Sequence, residues 1–204
     1  MNLPNKITVS RILLIPLFLL FVMPLPLLPE WLDGQGFVNA LIAGANGFII
    51  KYGNYIGALI FLAAASTDGV DGYVARKKNQ VTRLGIFLDP IADKLMIAAA
   101  LIALVTRNEI SGWAAIIIIS RELIVSGFRI VAAGEGVILA AGKWGKIKTV
   151  AQITAVVATL IRNFPLSLIT GFPFHTYFML IAVILTIYSG YDYISRNIGI
   201  LKKI

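Results

Sequence analysis

The sequence predicts an all-α fold: a polytopic membrane protein with six transmembrane helices and both termini on the cytoplasmic side. Three observations carry that prediction. Hydrophobic residues make up 58% of the 204 and charged residues only 14%, with a mean hydropathy of +0.87. A soluble domain of this size carries about a quarter charged residues. The apolar residues arrive in long blocks separated by charged or Pro/Gly-containing connections, which is the pattern of repeated membrane spans. The basic residues concentrate on alternate connections, which orients the spans.

The first span is expected over 7–23. Lys6 and Arg11 precede or enter its apolar run, as in a signal peptide, but the PLPLLPEW that follows offers no small-residue cleavage site. A retained helix is the expectation. Asn5, Thr8 and Arg11 recur every third residue as a polar edge. That edge is either an interfacial turn with a snorkelling arginine or the rim of a site at the membrane surface. Residues 24–53 read as a loop rich in Pro and Gly. Within it, 37–50 is apolar but interrupted by Gly44 and Gly47, so an interfacial or partly re-entrant segment is expected.

The second span, 55–76, ends with Asp68, Asp71 and Arg76, and the basic loop RKKNQVTR follows. The third, 85–106, carries Asp89 and Asp93 in its first two turns. Pro90 fits there because a first-turn N–H has no helical partner to lose. The fourth, 112–133, contains Arg121, Glu122 and Arg129. A lysine-bearing connection leads to the fifth, 147–161, and a loop with Pro165, Pro173 and His175 leads to the sixth, 176–194.

Lys6, Arg11, Arg76, Lys77, Lys78, Arg83, Lys143, Lys146, Lys148, Arg196, Lys202 and Lys203 then fall on the side of the amino terminus, and Lys51, Arg107 and Arg162 fall opposite. The first side is therefore cytoplasmic. This distribution accounts for the formal charge of +8 without a nucleic-acid partner. The absence of cysteine excludes a disulfide framework, a thiolate metal site and a Cys nucleophile, and the single His175 excludes a His-rich site. There is no internal repeat or soluble domain boundary, so residues 1–204 read as a single membrane domain.

Chemistry is concentrated between Asp68 and Lys94. Asp68 and Asp71 are three apart, and Asp89 and Asp93 are four apart; on a helix each spacing places both residues on one face. Four converging carboxylates would repel and raise one another's pKa. A divalent cation removes that conflict, and oxygen-only ligands suit Mg²⁺ or Mn²⁺. Four carboxylates can hold two such ions, an arrangement used for displacement at phosphorus. Gly69, Gly72, Ala75 and Gly85 leave room beside them for a bulky ligand, although glycines in membrane helices also serve packing. Arg76 offers a bidentate phosphate partner. A cation transporter is the alternative from another class, but it expects carboxylates spread through the bilayer rather than gathered at one boundary.

The stretch Asp68-x2-Asp71-Gly72-x2-Ala75-Arg76-x8-Gly85-x3-Asp89-x3-Asp93 resembles the full signature of the CDP-alcohol phosphotransferase family, with every position filled. The resemblance implies a six-helix membrane enzyme, a homodimer with its site open to the cytoplasm. In it an acceptor hydroxyl attacks the β-phosphorus of a CDP-linked donor and releases CMP. It implies Asp68, Asp71 and Asp89 as metal ligands, with Asp93 completing the metal site and serving as general base. Gly72, Ala75, Arg76 and Gly85 would line the CDP-diacylglycerol pocket, to which Asp68, Asn5, Thr8 and Thr82 are also assigned.

The acceptor is read from the remaining polar residues. Arg121 and Arg129 in the fourth span, with Lys146 and Lys148 in GKIKT, form a cationic set able to hold an anionic acceptor. For the lysines the plain alternative is positive-inside charge; for Arg121 it is a structural pair with Glu122. NLPNKITVSRILLIP, SRELIVSGFR, GKIKT with Gln152, and YSGYDY resemble the branch of the family that joins CDP-diacylglycerol to sn-glycerol 3-phosphate. That resemblance implies phosphatidylglycerol phosphate and CMP as products. Inositol phosphate or serine as acceptor is the alternative within the family.

Overall fold

The computed structural model describes residues 3–29, 36–78, 83–134, 137, 139, 142–165 and 168–201, without the side chains of 3–8, 67–78, 83–90, 93, 200 and 201. The described residues are all-α, with helices α1 (Leu3–Val22), α2 (Phe37–Phe48), α3 (Asn54–Lys78), α4 (Arg83–Thr106), α5 (Gly112–Gly134), α6 (Lys143–Leu160) and α7 (Phe174–Leu201). They group into two compact units, Met1–Ala103 and Leu104–Ile204. Two stretches, Phe37–Ser66 and Phe174–Gly199, are long and apolar enough to cross a membrane.

In the first unit α1 packs on α3. Pro16 sits inside α1 without ending it, as membrane helices allow. Phe18 and Phe61 are fully or almost fully buried and their rings meet at 6.1 Å. Close approach depends on two glycines: a Cβ at Gly53 would run into the Phe21 carbonyl, and one at Gly57 into the Val22 side chain. The large residues left exposed on α1 and α3, among them Leu13, Leu20 and Leu59, form the apolar exterior.

The expectation of a loop over 24–53 is corrected here. Residues 37–48 are helical, and a π-helical turn, Ile49–Gly53, joins α2 to α3 without a break. Gly44 and Gly47 each cost about 1 kcal/mol relative to alanine, which does not end a helix whose other residues are favourable. The extended residues 24–29 lie along α2 through two side-chain clamps. Leu28 N–H donates to Asn39 Oδ1 (2.8 Å) and Asn39 Nδ2 donates to the Leu28 carbonyl (3.0 Å). Leu25 and Asn46 repeat the exchange at 2.7 and 3.0 Å. Asn39 and Asn46 are two helical turns apart, so they meet the extended chain at matching intervals. Pro24, Pro26 and Pro29 have no N–H to satisfy.

In the second unit α7 packs against both α5 and α6. Its buried stripe includes Ala182, Thr186 and Ser189, facing Ala155, Val156 and Leu160 of α6 and Ile118 and Val125 of α5. Small residues let these helices approach closely. Gln152 Nε2 donates to Thr186 Oγ1 at 2.8 Å, and Thr186 returns its proton to the Ala182 carbonyl at 2.6 Å. This buried polar pair is therefore satisfied. α4 and α6 each end in a left-handed turn: Asn108 at φ 57° and Arg162 at φ 50°. Glu109 N–H reaches the Leu104 carbonyl, and Asn163 N–H reaches the Ala158 carbonyl, the hydrogen-bond pattern of a Schellman stop.

Candidate active site

The expected carboxylates lie on the two helices the sequence assigned to them. Asp68, Asp71, Gly72, Ala75 and Arg76 are in the last part of α3, and Gly85, Asp89 and Asp93 in the first half of α4. The backbone is helical through both stretches, so each acidic pair is one turn apart in register. The side chains of these residues lie outside the described residues, as do those of Asn5 and Thr8 in α1 and the whole of Thr82. Among the described residues no group of three or more His, Cys, Asp or Glu side chains gathers to hold a metal.

The acceptor residues, by contrast, are described side chains of the second unit, and two of the four, Arg121 and Lys148, join one network. Glu122 is its hub. Its Oε1 accepts from Arg121 Nη1 at 3.4 Å and pairs with Lys148 Nζ. Lys148 is 5% exposed, so its charge is neutralised within the protein rather than offered to water. Arg121 Nη2 donates to Ser189 Oγ at 2.7 Å. Gly190 makes room for this arginine, since a Cβ there would lie 3.1 Å from Arg121 Cγ. Arg121 Nε is buried and has no partner among the described residues.

Further along α5, Arg129 donates from Nε to Tyr193 Oη at 3.1 Å, with its guanidinium 5.3 Å from the centre of the same ring. Phe128 meets Tyr193 edge-on at 6.0 Å. Lys146 is exposed on α6 and takes no part in this network among the contacts described.

Two cations, Arg121 and Lys148, therefore pair with one carboxylate, Glu122, and Arg129 lies two turns further along α5 on Tyr193. Charged groups on apolar helices are expensive, and such a cluster marks a site for a charged ligand or its counter-charge. An excess of guanidinium donors is suited to a phosphate. Sequence reasoning had Arg121, Glu122 and Arg129 in view and placed Ser189, Gly190 and Tyr193 in a recognisable motif. It missed that Glu122 takes Lys148, 26 residues away, and that Ser189 takes Arg121, 68 residues away. Neither separation leaves a local signal.

Compared with known proteins, the chain matches the CDP-alcohol phosphatidyltransferase family over residues 1–188. It is similar to the CDP-diacylglycerol–glycerol-3-phosphate 3-phosphatidyltransferase of Bacillus subtilis (strain 168), with 47% identity over 201 residues, 98% of this chain and 97% of that protein. Proteins of the same name from Haemophilus influenzae and Pseudomonas fluorescens are 37% and 38% identical. Their alignments cover 98% and 95% of this chain and 95% and 89% of those proteins.

Proposed function

The chain belongs to the CDP-alcohol phosphatidyltransferase family, and on that premise we propose that it transfers the phosphatidyl group of CDP-diacylglycerol to sn-glycerol 3-phosphate, giving phosphatidylglycerol phosphate and CMP. Family membership alone leaves the acceptor open. The observation that carries the choice is the end-to-end similarity to enzymes named for glycerol 3-phosphate, 47% over 98% of the chain.

The reaction forms one P–O bond and breaks another. The acceptor hydroxyl oxygen attacks the phosphorus that carries diacylglycerol, and the bond from that phosphorus to the bridging oxygen of CMP breaks. Asp93 takes the hydroxyl proton, a role suited to a carboxylate within reach of the nucleophile. Arg76 binds the pyrophosphate bidentately, and Gly72, Ala75 and Gly85 leave space for the cytidine end. Asn5, Thr8 and Thr82 add polar contacts to CDP-diacylglycerol.

Four carboxylates on helical turns, with no sulfur or imidazole among them, are a donor set for hard divalent ions. Asp68, Asp71, Asp89 and Asp93 would hold two Mg²⁺ or Mn²⁺ ions, whose chemistry there is neutralisation of phosphate charge. Arg121 and Arg129 hold the acceptor's phosphate, with Lys148 fixed by Glu122 adding positive field, and Lys146 attracts the anion from the water side.

The chain acts as one catalytic domain over 1–204, with six spans in the cell membrane, both termini and the active site facing the cytoplasm, and it works as a homodimer. The one-sided distribution of basic residues supports the topology, and the family match across 1–188 supports the single domain. A panel of radiolabelled acceptors offered with CDP-diacylglycerol to the purified enzyme tests the assignment. Lipid-soluble product is expected with sn-glycerol 3-phosphate. Product only with inositol phosphate or serine would overturn the choice of acceptor.

A further inference from the structure

The two arginines of α5 are directed by hydroxyls rather than by carboxylates. Arg121 makes one short hydrogen bond, from Nη2 to Ser189 Oγ at 2.7 Å, while its contact with Glu122 is long, at 3.4 Å. The Glu122 oxygen it meets is the same one that Lys148 Nζ approaches more closely. One carboxylate cannot neutralise both cations, and the geometry gives it mainly to Lys148. Arg129 meets no carboxylate among the described residues; its Nε donates to Tyr193 Oη at 3.1 Å.

Both hydroxyls come from α7. Ser189 and Tyr193 are four residues apart, on one face and one turn from each other. Arg121 and Arg129 are eight residues apart, which is about 12 Å along α5. Within one turn of its own, α7 thus receives arginines from two turns of α5. Ser189 and Tyr193 are buried, at 2% and 7% exposed, so neither offers a surface to a ligand. Arg129 is exposed and Arg121 partly so.

Thr186, on the same stripe of α7, shows what a structural hydroxyl does. It accepts from Gln152 and returns its proton to the carbonyl one turn back. Ser189 makes no such bond to its own helix among the described residues, and its contact is with a cation. Gly190 completes the seat. A Cβ there would crowd the Arg121 stem, 3.1 Å from Cγ.

The choice of hydroxyls matters through charge. A carboxylate in either place would orient the guanidinium equally well but cancel its charge, and an anion would then be held weakly. A hydroxyl accepts a hydrogen bond without neutralising the donor. A guanidinium carries five N–H groups, so most of the fork and all of the charge stay available for a phosphate.

We infer that Ser189 and Tyr193 are positioning residues of the acceptor site, fixing Arg121 and Arg129 with neutral hydroxyls and leaving both charges to the acceptor's phosphate. The inference rests on the reading that these arginines hold the phosphate of sn-glycerol 3-phosphate.

Steady-state transfer by the full-length enzyme in detergent tests it. Ser189→Ala should raise KM for sn-glycerol 3-phosphate about tenfold, equivalent to about 1.4 kcal/mol of binding. The turnover number and KM for CDP-diacylglycerol should stay unchanged. Inorganic phosphate, competing with sn-glycerol 3-phosphate, should weaken as an inhibitor by the same factor. Residues that act through one group do not add, so Ser189→Ala should change nothing further in an Arg121→Met background. Equal factors in both backgrounds would overturn the inference. So would a fall in turnover and a rise in both KM values together with a lower unfolding temperature, because Ser189 would then serve packing alone. Tyr193→Phe keeps the ring against Phe128 and is the gentler variant. It should raise KM for the same acceptor by a smaller factor, and not at all beside Arg129→Gln. If Ser189→Ala fails to fold, an unchanged KM in Tyr193→Phe ends the inference. Absence of transfer to sn-glycerol 3-phosphate by the unsubstituted enzyme would refute the acceptor, and the inference with it. Normal transfer with a KM insensitive to these hydroxyls would refute the positioning alone.

Discussion

The two units encode their chemistry in different ways. In residues 1–103 the reacting groups are contiguous in sequence, two acidic pairs at helical spacing on α3 and α4. In residues 104–204 the polar cluster is assembled from three helices, and its contacts join residues 26 to 68 positions apart. In the proposed function the first arrangement sets the reaction type through spacing alone. In the proposed function the second selects which anion is held, and it can vary residue by residue without disturbing the first. Enzymes that share a transfer reaction but differ in acceptor need that separation.

The sharpest way to break this contrast is to substitute the proposed base. Asp93→Asn removes the proton acceptor while preserving size. General-base catalysis contributes up to about ten-thousand-fold, and turnover should fall by that order with CDP-diacylglycerol binding partly retained. The check is single-turnover transfer beside equilibrium binding of the donor. Full turnover in Asp93→Asn would end its assignment as base and weaken the claim that the linear motif alone carries the reaction.

Next in size is the pair at the centre of the second unit. Lys148 and Glu122 have side chains only 6% and 15% exposed. Breaking a buried pair by removing one partner costs about 3 to 5 kcal/mol, whereas replacing both by apolar groups can be nearly neutral. Lys148→Met should therefore lower the thermal unfolding temperature in detergent, and adding Glu122→Leu should recover most of that loss. If activity returned together with stability in the double variant, the pair would be scaffolding alone. Recovery of stability without activity is the outcome the proposed function expects, because it places Lys148 at the acceptor site.

The α2 clamp predicts a smaller and more local effect. Asn46→Leu leaves the Leu25 N–H and carbonyl without their partners, at a cost of about 1 to 3 kcal/mol. Faster hydrogen exchange of the Leu25 amide is the expected readout, with transferase activity preserved because Asn46 is about 30 Å along the continuous helix from Asp68. Unchanged exchange would mean that the clamp does not hold the segment.

These elements also show what the chain makes legible. The all-α fold was readable because long apolar runs have few alternatives, and both acidic pairs fall on helical backbone, as their spacing suggested. The α2 stretch was misread because Gly44 and Gly47 interrupt its apolar run when taken locally. What makes Asn39 and Asn46 helical residues here is a partner segment 11 to 21 positions earlier. The fate of Lys148 was hidden for the same reason: a lysine in a basic stretch looks like surface charge until the helix that buries it is placed.

Arg129 gives the smallest expected effect and the finest separation of function from structure. Its residue is exposed, and Tyr193 engages only its Nε, one of the five N–H groups a guanidinium carries. The rest of the fork suits the acceptor's phosphate. Arg129→Gln should raise KM for sn-glycerol 3-phosphate about tenfold, a loss of about 1.4 kcal/mol of acceptor binding. The unfolding temperature and KM for CDP-diacylglycerol should stay where they are. Arg129→Lys should recover only part, because an ammonium keeps the charge but cannot form the paired bonds of a guanidinium. A fall in stability equal to that of Lys148→Met would place Arg129 with the scaffold. A rise in KM confined to the acceptor places it in the pocket, and with it the division of labour between the contiguous motif and the assembled one.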